Sequence, residues 1–114
     1  MISVSLAAAS ICFAGACYPA LVGSNTPAGM FTVSRQSVAD PGYGGDVLVF
    51  QESAIHLWAI HRVYTLNPNE DRVGRLRSSR PGARRNVTLG CINVMPEVYD
   101  RLVACCSKDV LVVF

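Results

Sequence analysis

Charged residues and metal-binding patterns are scarce in this sequence. Asp, Glu, Lys and Arg make up 16% of the 114 residues and hydrophobic residues 51%, a composition typical of an ordered globular chain. There is no internal repeat, no biased tract and no Cys-x-x-Cys pair, and the two histidines lie far from the five cysteines in sequence. We therefore predict one domain over residues 1–114 without a metal site.

No apolar run in the chain is long enough to span a membrane. The first twenty residues are small and apolar, but they lack the positive charge that begins a signal peptide, and polar residues interrupt them. We expect this segment to form a strand, a turn near Gly15 and a second strand. We also expect the export signal to have been removed, or the protein to be delivered by another system.

The formal net charge is only +2, yet six arginines fall in one segment. They are Arg72, Arg75, Arg77, Arg80, Arg84 and Arg85. Such a basic segment suits nucleic acid, an anionic lipid surface or a carboxylate-rich substrate, and the sequence does not choose among them. A solvated loop that only keeps the chain soluble explains it equally well.

Turn residues divide the chain into short runs of β-prone residues, which predict a mainly β fold of six or seven strands. The predicted strands include residues 30–33, 47–50, 55–63 and 110–114. If residues 55–63 form one unbroken strand, His56 and His61 point to opposite faces and cannot serve the same site. His56 is then a structural or surface residue.

Two further segments depart from the β pattern. Residues 67–87 carry two prolines and two glycines among charges, which predicts a long loop with one helical turn near residues 71–77. Loops of this length often cover functional sites. Pro96 then suits the first turn of a helix through Ala104, with Val98, Leu102 and Cys105 on its apolar stripe.

The odd number of cysteines leaves at least one thiol unpaired. Cys12 and Cys17 flank the turn near Gly15 and could face each other, and Cys105 and Cys106 are adjacent near a helix end. Cys91 instead follows Gly90 within residues 86–94, NVTLGCINV. A nucleophilic cysteine needs a base such as histidine, and a preceding glycine lets a substrate carbonyl approach backbone N–H groups. On these residues alone, a buried structural cysteine is the commoner explanation.

Three ordered segments resemble the L,D-transpeptidase catalytic domain of the YkuD type. Residues 26–31 resemble its Thr-Pro-x-Gly-x-Phe element, residues 59–61 the strand that ends in Ile-His, and residues 88–93 its Ser/Thr-His-Gly-Cys signature. The resemblance covers essentially the whole chain. It implies an L,D-transpeptidase-like β-sandwich or barrel with one firm helix after the cysteine.

The chain departs from the family pattern in two ways. Leu89 stands where the family usually has its second histidine. The 30 positions from His61 to Cys91 also exceed the usual spacing, and the excess lies in the arginine-rich segment.

The resemblance implies that Cys91 is the nucleophile and His61 the base, with no cofactor. The backbone N–H groups of Leu89, Gly90 and Cys91 would form the oxyanion hole. Thr88 and Asn93 would shape the pocket. Arg62 and Tyr43 are further candidates for substrate contact, with packing as the alternative role of Tyr43.

The substrate that the resemblance implies is a peptidoglycan stem peptide in the periplasm or cell envelope, with no nucleic-acid partner. A thioester on Cys91 would pass its acyl group to an amine, to water or to a free D-amino acid. Two alternatives remain. One is an antibacterial effector that uses the same chemistry on a rival's wall and is held by an immunity protein. The other is a non-catalytic peptidoglycan-binding module, which the missing histidine at Leu89 suggests.

Overall fold

Two β-sheets form the framework of the computed structural model, which describes residues 1–114. The strands are β1 (Ile2–Ser5), β2 (Ser10–Phe13), β3 (Ala16–Pro19), β4 (Gly29–Thr32), β5 (Ser34–Ser37), β6 (Asp46–Glu52), β7 (Leu57–Arg62), β8 (Ile92–Val94) and β9 (Val110–Val113). The helices are α1 (Arg72–Arg77) and α2 (Pro96–Cys106), with short 3-10 helices at Pro68–Glu70 and Pro81–Ala83. The fold is therefore mainly β, as predicted.

The first sheet has the order β3-β2-β1-β9-β4 and the second the order β5-β6-β7-β8. β9 lies inside the first sheet, parallel to β1 and antiparallel to β4. The main hydrophobic core takes side chains from both sheets and from α2. Neither sheet has to bury an apolar face alone.

The parallel pair β7 and β8 matters most for the site. It places His61 opposite Asn93, one residue after Ile60 pairs with Ile92. Parallel neighbours cannot be joined by a tight turn, so the intervening chain must cross over. The crossover is the segment of residues 67–87 with its prolines and glycines, and it contains the short helix α1 where one helical turn was predicted.

The N-terminal segment has one strand more than predicted. β1 is followed by a turn at residues 6–9, and only then does the hairpin of β2 and β3 turn near Gly15. Cys12 and Cys17 face each other across this hairpin and form a disulfide. The small residues at 6–9 carry no strong turn signal, which is why the sequence suggested a single strand there.

The helix after the cysteine is α2, and it begins at Pro96 as predicted. Its buried residues are Val98, Tyr99, Leu102 and Cys106. The prediction that Cys105 belongs to the apolar stripe is wrong, because the buried face continues four residues after Leu102 and leaves Cys105 exposed. Cys105 and Cys106 form a second disulfide. None of the helices is both long enough and apolar enough for a membrane crossing.

Candidate functional site

A cavity of about 490 Å³ opens beside the ends of β7 and β8. Its wall includes Cys91 and His61, together with Tyr43 from the loop before β6 and Arg72 from α1. Ile55, Leu57, Ala59 and the highly exposed Leu89 make part of the wall apolar. Apolar walls with a few convergent polar groups are typical of small-molecule and peptide sites.

Cys91 is held at the cavity by an unusual backbone conformation at Gly90. The φ angle of Gly90 is +125°, and a Cβ atom there would lie 2.7 Å from Nε1 of Trp58. A residue other than glycine would be strained and would also collide with the indole. The requirement for glycine before Cys91 is therefore local geometry.

The loop that carries Cys91 is fixed by two threonine hydroxyl groups. Thr26 Oγ1 donates to the Gly90 carbonyl at 2.9 Å, which joins the segment after residue 25 to the Gly-Cys loop. Thr88 Oγ1 donates to the Cys91 carbonyl at 2.6 Å and accepts from the Gly90 N–H at 3.1 Å. The cysteine backbone is thus held from both sides.

His61 is buried, with 2% of its surface exposed. Its Nδ1 lies 2.6 Å from the Arg62 carbonyl, which can only accept, so Nδ1 carries the proton of the neutral ring. Nε2 is left as an acceptor and lies 3.2 Å from Nδ2 of Asn93. Burial lowers the pKa of His61 from 6.5 to about 4, the bond to the Arg62 carbonyl opposes this shift and the charge of Arg72 adds to it.

The Cys91 thiol donates to the Leu57 carbonyl at 3.5 Å, and no hydrogen bond joins it to His61. Burial raises the pKa of this thiol, and a backbone hydrogen bond from Ala59 and the charge of Arg72 offset only part of the effect. The sulfur is therefore a thiol at neutral pH and needs a base before it can attack a carbonyl.

The backbone N–H groups near the Cys91 sulfur differ in whether they already have a hydrogen-bond partner. The Gly90 N–H, one of the three groups expected in an oxyanion hole, already bonds Thr88 Oγ1. No backbone or side-chain hydrogen bond outside the regular elements uses the N–H of Leu89 or of Cys91. These two groups are the ones left to meet an oxyanion.

Of the four residues expected to contact the substrate, two line the cavity and two do not. Thr88 and Tyr43 line the cavity, and the Tyr43 ring stands edge-on to the His61 ring at 4.5 Å. Asn93 is fully buried beside His61. The side chain of Arg62 does not line the cavity, since it pairs with Asp46 at 2.9 Å and covers the Tyr99 ring. Arg62 contributes to the site only through its carbonyl, which accepts the hydrogen bond from Nδ1 of His61.

The inference that the two histidines cannot serve one site is wrong. β7 begins at Leu57, so the alternation of faces does not extend back to His56, and both histidines line the cavity. His56 packs its ring on Trp58 at 4.2 Å, and its Nε2 has no hydrogen-bond partner.

The arginine-rich segment is largely tied to the rest of the molecule. Arg75, Arg84 and Arg85 each donate to backbone carbonyls, and Arg72 reaches the cavity. Sequence reasoning missed Arg72 as part of the site, because only the path of the crossover brings it there. The structure contains no group of three or more His, Cys, Asp or Glu side chains arranged to hold a metal ion.

Three solved structures that share this fold are described as L,D-transpeptidases. One from Mycobacterium smegmatis is 21% identical, with a TM-score of 0.59 over 99% of this chain and 57% of that one. One from Xylanimonas cellulosilytica is 12% identical, with a TM-score of 0.61 over 99% of this chain and 59% of that one. One from Stackebrandtia nassauensis is 15% identical, with a TM-score of 0.56 over 99% of this chain and 54% of that one.

These likenesses establish an L,D-transpeptidase-like fold, as the resemblance of three short segments implied. The chain spans between 54% and 59% of the length of those three structures. No protein-family model and no curated sequence matches the chain.

Proposed function

We propose that this chain is a cysteine-dependent acyltransferase that acts on peptidoglycan stem peptides in the periplasm or cell envelope. The observation that carries the proposal is that a neutral His61 ring and the Cys91 thiol line the same cavity. Its Nδ1–H is held by the Arg62 carbonyl, so Nε2 is the unprotonated nitrogen, which can take a proton once its hydrogen bond with the Asn93 amide opens. The L,D-transpeptidase-like fold supports the substrate class.

In the first half-reaction, Nε2 of His61 takes the thiol proton while Cys91 Sγ bonds to the carbonyl carbon of the stem peptide. The carbonyl oxygen becomes negative and is met by the N–H groups of Leu89 and Cys91. The tetrahedral intermediate then collapses, the C–N bond breaks, and His61 returns its proton to the leaving amine. D-Alanine departs and a thioester remains on Cys91.

In the second half-reaction an amine or water attacks the thioester. His61 removes a proton from this nucleophile and returns it to the thiolate as the C–S bond breaks. An acceptor stem peptide gives a cross-link, water gives a tripeptide and a free D-amino acid gives exchange. Before the thiol proton can be transferred the site must rearrange, because the Cys91 thiol is hydrogen-bonded to the Leu57 carbonyl and Nε2 of His61 to the Asn93 amide. Hydrogen bonds of catalytic groups are often long or misdirected before substrate binds.

Incubation with a purified tetrapeptide muropeptide, followed by mass spectrometry, tests this function. Loss of D-alanine, dimer formation and exchange of an added D-amino acid give three distinct masses. Cys91→Ala and His61→Gln should each abolish all three, whereas Arg77→Ala, a change at an exposed arginine, should not. Turnover that survives loss of either Cys91 or His61, or none by the unaltered chain, rejects the mechanism.

A second candidate is a non-catalytic peptidoglycan-binding module. It is favoured by Leu89 in place of the expected histidine and by the missing hydrogen bond between Cys91 and His61. Iodoacetamide labelling separates the two, because a cysteine whose proton His61 can accept reacts faster than its His61→Gln counterpart. Equal labelling rates, together with sedimentation of the protein with insoluble peptidoglycan and no turnover, would favour the binding module.

A further inference from the structure

Arg72 is the one arginine of the crossover segment that reaches the cavity, and its contacts lead directly to His61. Its Nη1 donates to Oδ1 of Asn93 at 3.0 Å. The guanidinium also lies over the Tyr64 ring, with Cζ 5.3 Å from the ring centroid. A residue of the crossover segment is thus hydrogen-bonded to the side chain that contacts His61.

The orientation of the Asn93 amide is fixed by its neighbours. Oδ1 receives hydrogen bonds from the Tyr64 N–H at 3.2 Å and from Arg72. Both neighbours are donors only, so an oxygen must face them and the NH₂ group must face His61. That NH₂ group can only donate, and it meets Nε2 at 3.2 Å.

A role for Arg72 as an anion receptor fits these contacts poorly. Its Nε and Nη2 are taken by the carboxylate of Glu70, at 3.2 Å and 3.0 Å. With Nη1 on Asn93, the guanidinium has a partner on each nitrogen. A substrate carboxylate would have to displace Glu70, whereas the bond to Asn93 is already made.

We propose that Arg72 is a positioning residue: it holds the Asn93 amide so that its NH₂ group faces Nε2 of His61 and keeps this nitrogen an unprotonated acceptor. The proposal rests on the proposed function for its catalytic meaning, since the base must be unprotonated at Nε2 before the substrate binds, and the hydrogen bond from Asn93 must then open for the thiol proton to be transferred. The arrangement itself can be measured without a substrate.

Two interactions should lower the pKa of His61, and both act in the same direction. A donor facing Nε2 and a positive charge behind that donor both disfavour the imidazolium. The titratable and charged side chains that share the cavity with His61 are Asp40, Tyr43, His56, Tyr64, Arg72 and Cys91. Among these side chains Arg72 alone contacts Asn93, so its removal acts on His61 both through that amide and through the loss of its charge.

The test is an NMR titration of the His61 ring in the full chain, with the His56 ring as internal comparison. Arg72→Gln should raise the pKa of His61 by about half a unit to one unit, and should move the acidic limb of the kcat/KM profile upward by the same amount. Glu70→Gln leaves the arginine charge uncompensated and should move both in the opposite direction. Arg72→Lys keeps the positive charge, so the pKa of His61 in this variant should lie close to that of the unaltered protein.

Arg75→Gln is the matched control, because Arg75 lies on the same helix and bonds only the carbonyls of Glu70 and Ala83. It should leave the His61 titration unchanged. Shifts of the same sign in Arg72→Gln and Glu70→Gln would overturn the positioning role, as would a rise in KM with no change in titration. If Arg72→Gln does not fold, the positioning role is tested by the other two variants: Glu70→Gln should lower the pKa of His61 and Arg72→Lys should leave it nearly unchanged. If the His61 titration shifts as expected but the protein has no turnover, the positioning role stands and only the proposed function is rejected.

Discussion

At the scale of single residues, the site turns on a histidine that is buried as a neutral ring. His61 makes two hydrogen bonds, one through each ring nitrogen, and neither partner is a carboxylate. No negative charge compensates the imidazolium, so burial decides its titration. Burial therefore keeps the ring unprotonated before the substrate arrives, as a general base requires, and at the same time weakens it as an acceptor of the Cys91 proton.

The same burial makes the folding stability depend on pH. Above pH 6.5 His61 is neutral in both the folded and the unfolded chain. As the pH falls from 6.5 to about 4 the unfolded chain takes up a proton that the folded chain refuses. The free energy of unfolding should therefore decrease over this window, by as much as about 3 kcal/mol, and no further below it.

Urea unfolding of the unaltered chain and of His61→Gln, between pH 4 and pH 7.5, measures this contribution. The variant removes the titrating group, so the difference in unfolding free energy between the two proteins should shrink as the pH falls. Parallel pH curves for the two proteins would mean that His61 titrates normally.

At the scale of elements, the sequence predicted the parts whose pattern is local. β6, β7 and β9 are rich in Val, Ile, Leu and aromatic residues, and α2 has Pro96 at its start and an apolar stripe. It missed β5 and β8, and it took β1 and β2 for a single strand. β5 reads Ser-Arg-Gln-Ser and is exposed throughout, and β8 is three residues long, so only pairing with neighbours makes them strands.

The site shows the same division. Cys91, His61, Thr88 and Leu89 were singled out from motifs and Tyr43 as a further candidate for substrate contact, and all five line the cavity. Arg72 and His56 were not expected there, and Arg62 turned its side chain to Asp46. Their directions depend on where β7 begins and on how the crossover returns, and no short pattern in the sequence encodes either.

The crossover segment is also anchored by a buried arginine. Arg84 is 7% exposed and donates to the carbonyls of Ala8, Ala9 and Ser78. It joins the end of the segment to the turn after β1. The Ala9 carbonyl also accepts from the Ala20 N–H, whereas the carbonyls of Ala8 and Ser78 have no other hydrogen-bond partner in the protein. Loss of the guanidinium removes these bonds, and polar groups left without a partner are costly.

Arg84→Met keeps much of the side-chain volume and removes every donor. We expect it to lower the free energy of unfolding by about 2–4 kcal/mol, read from the urea midpoint. Arg77→Met, at an exposed position of the same segment, is the control and should change stability by less than about 0.5 kcal/mol. Equal effects of the two substitutions would mean that the anchor contributes nothing specific.

At the scale of the whole molecule, the fold is closed by pairings between distant parts of the chain. β9 lies between β1 and β4 in the first sheet, and Ile2 pairs with Leu111. Pairings of such long sequence separation form late and at a high cost in loop entropy. The side chains that β9 buries must therefore supply much of the stability that holds this sheet to the core.

Two valines of β9 test this directly, because they differ in the face that they occupy. Val113 is 2% exposed and belongs to the main core, whereas Val112 is only partly buried and pairs with Met30, which is 72% exposed. Val113→Ala should lower the free energy of unfolding by roughly 2 kcal/mol, and Val112→Ala by less than about 1 kcal/mol, in urea titrations. The two substitutions remove the same atoms from adjacent residues of one strand, so strand propensity cancels and the difference reports burial alone. Equal losses would mean that β9 does not pack on the core through this face, and the arrangement of the first sheet around β9 would then be wrong.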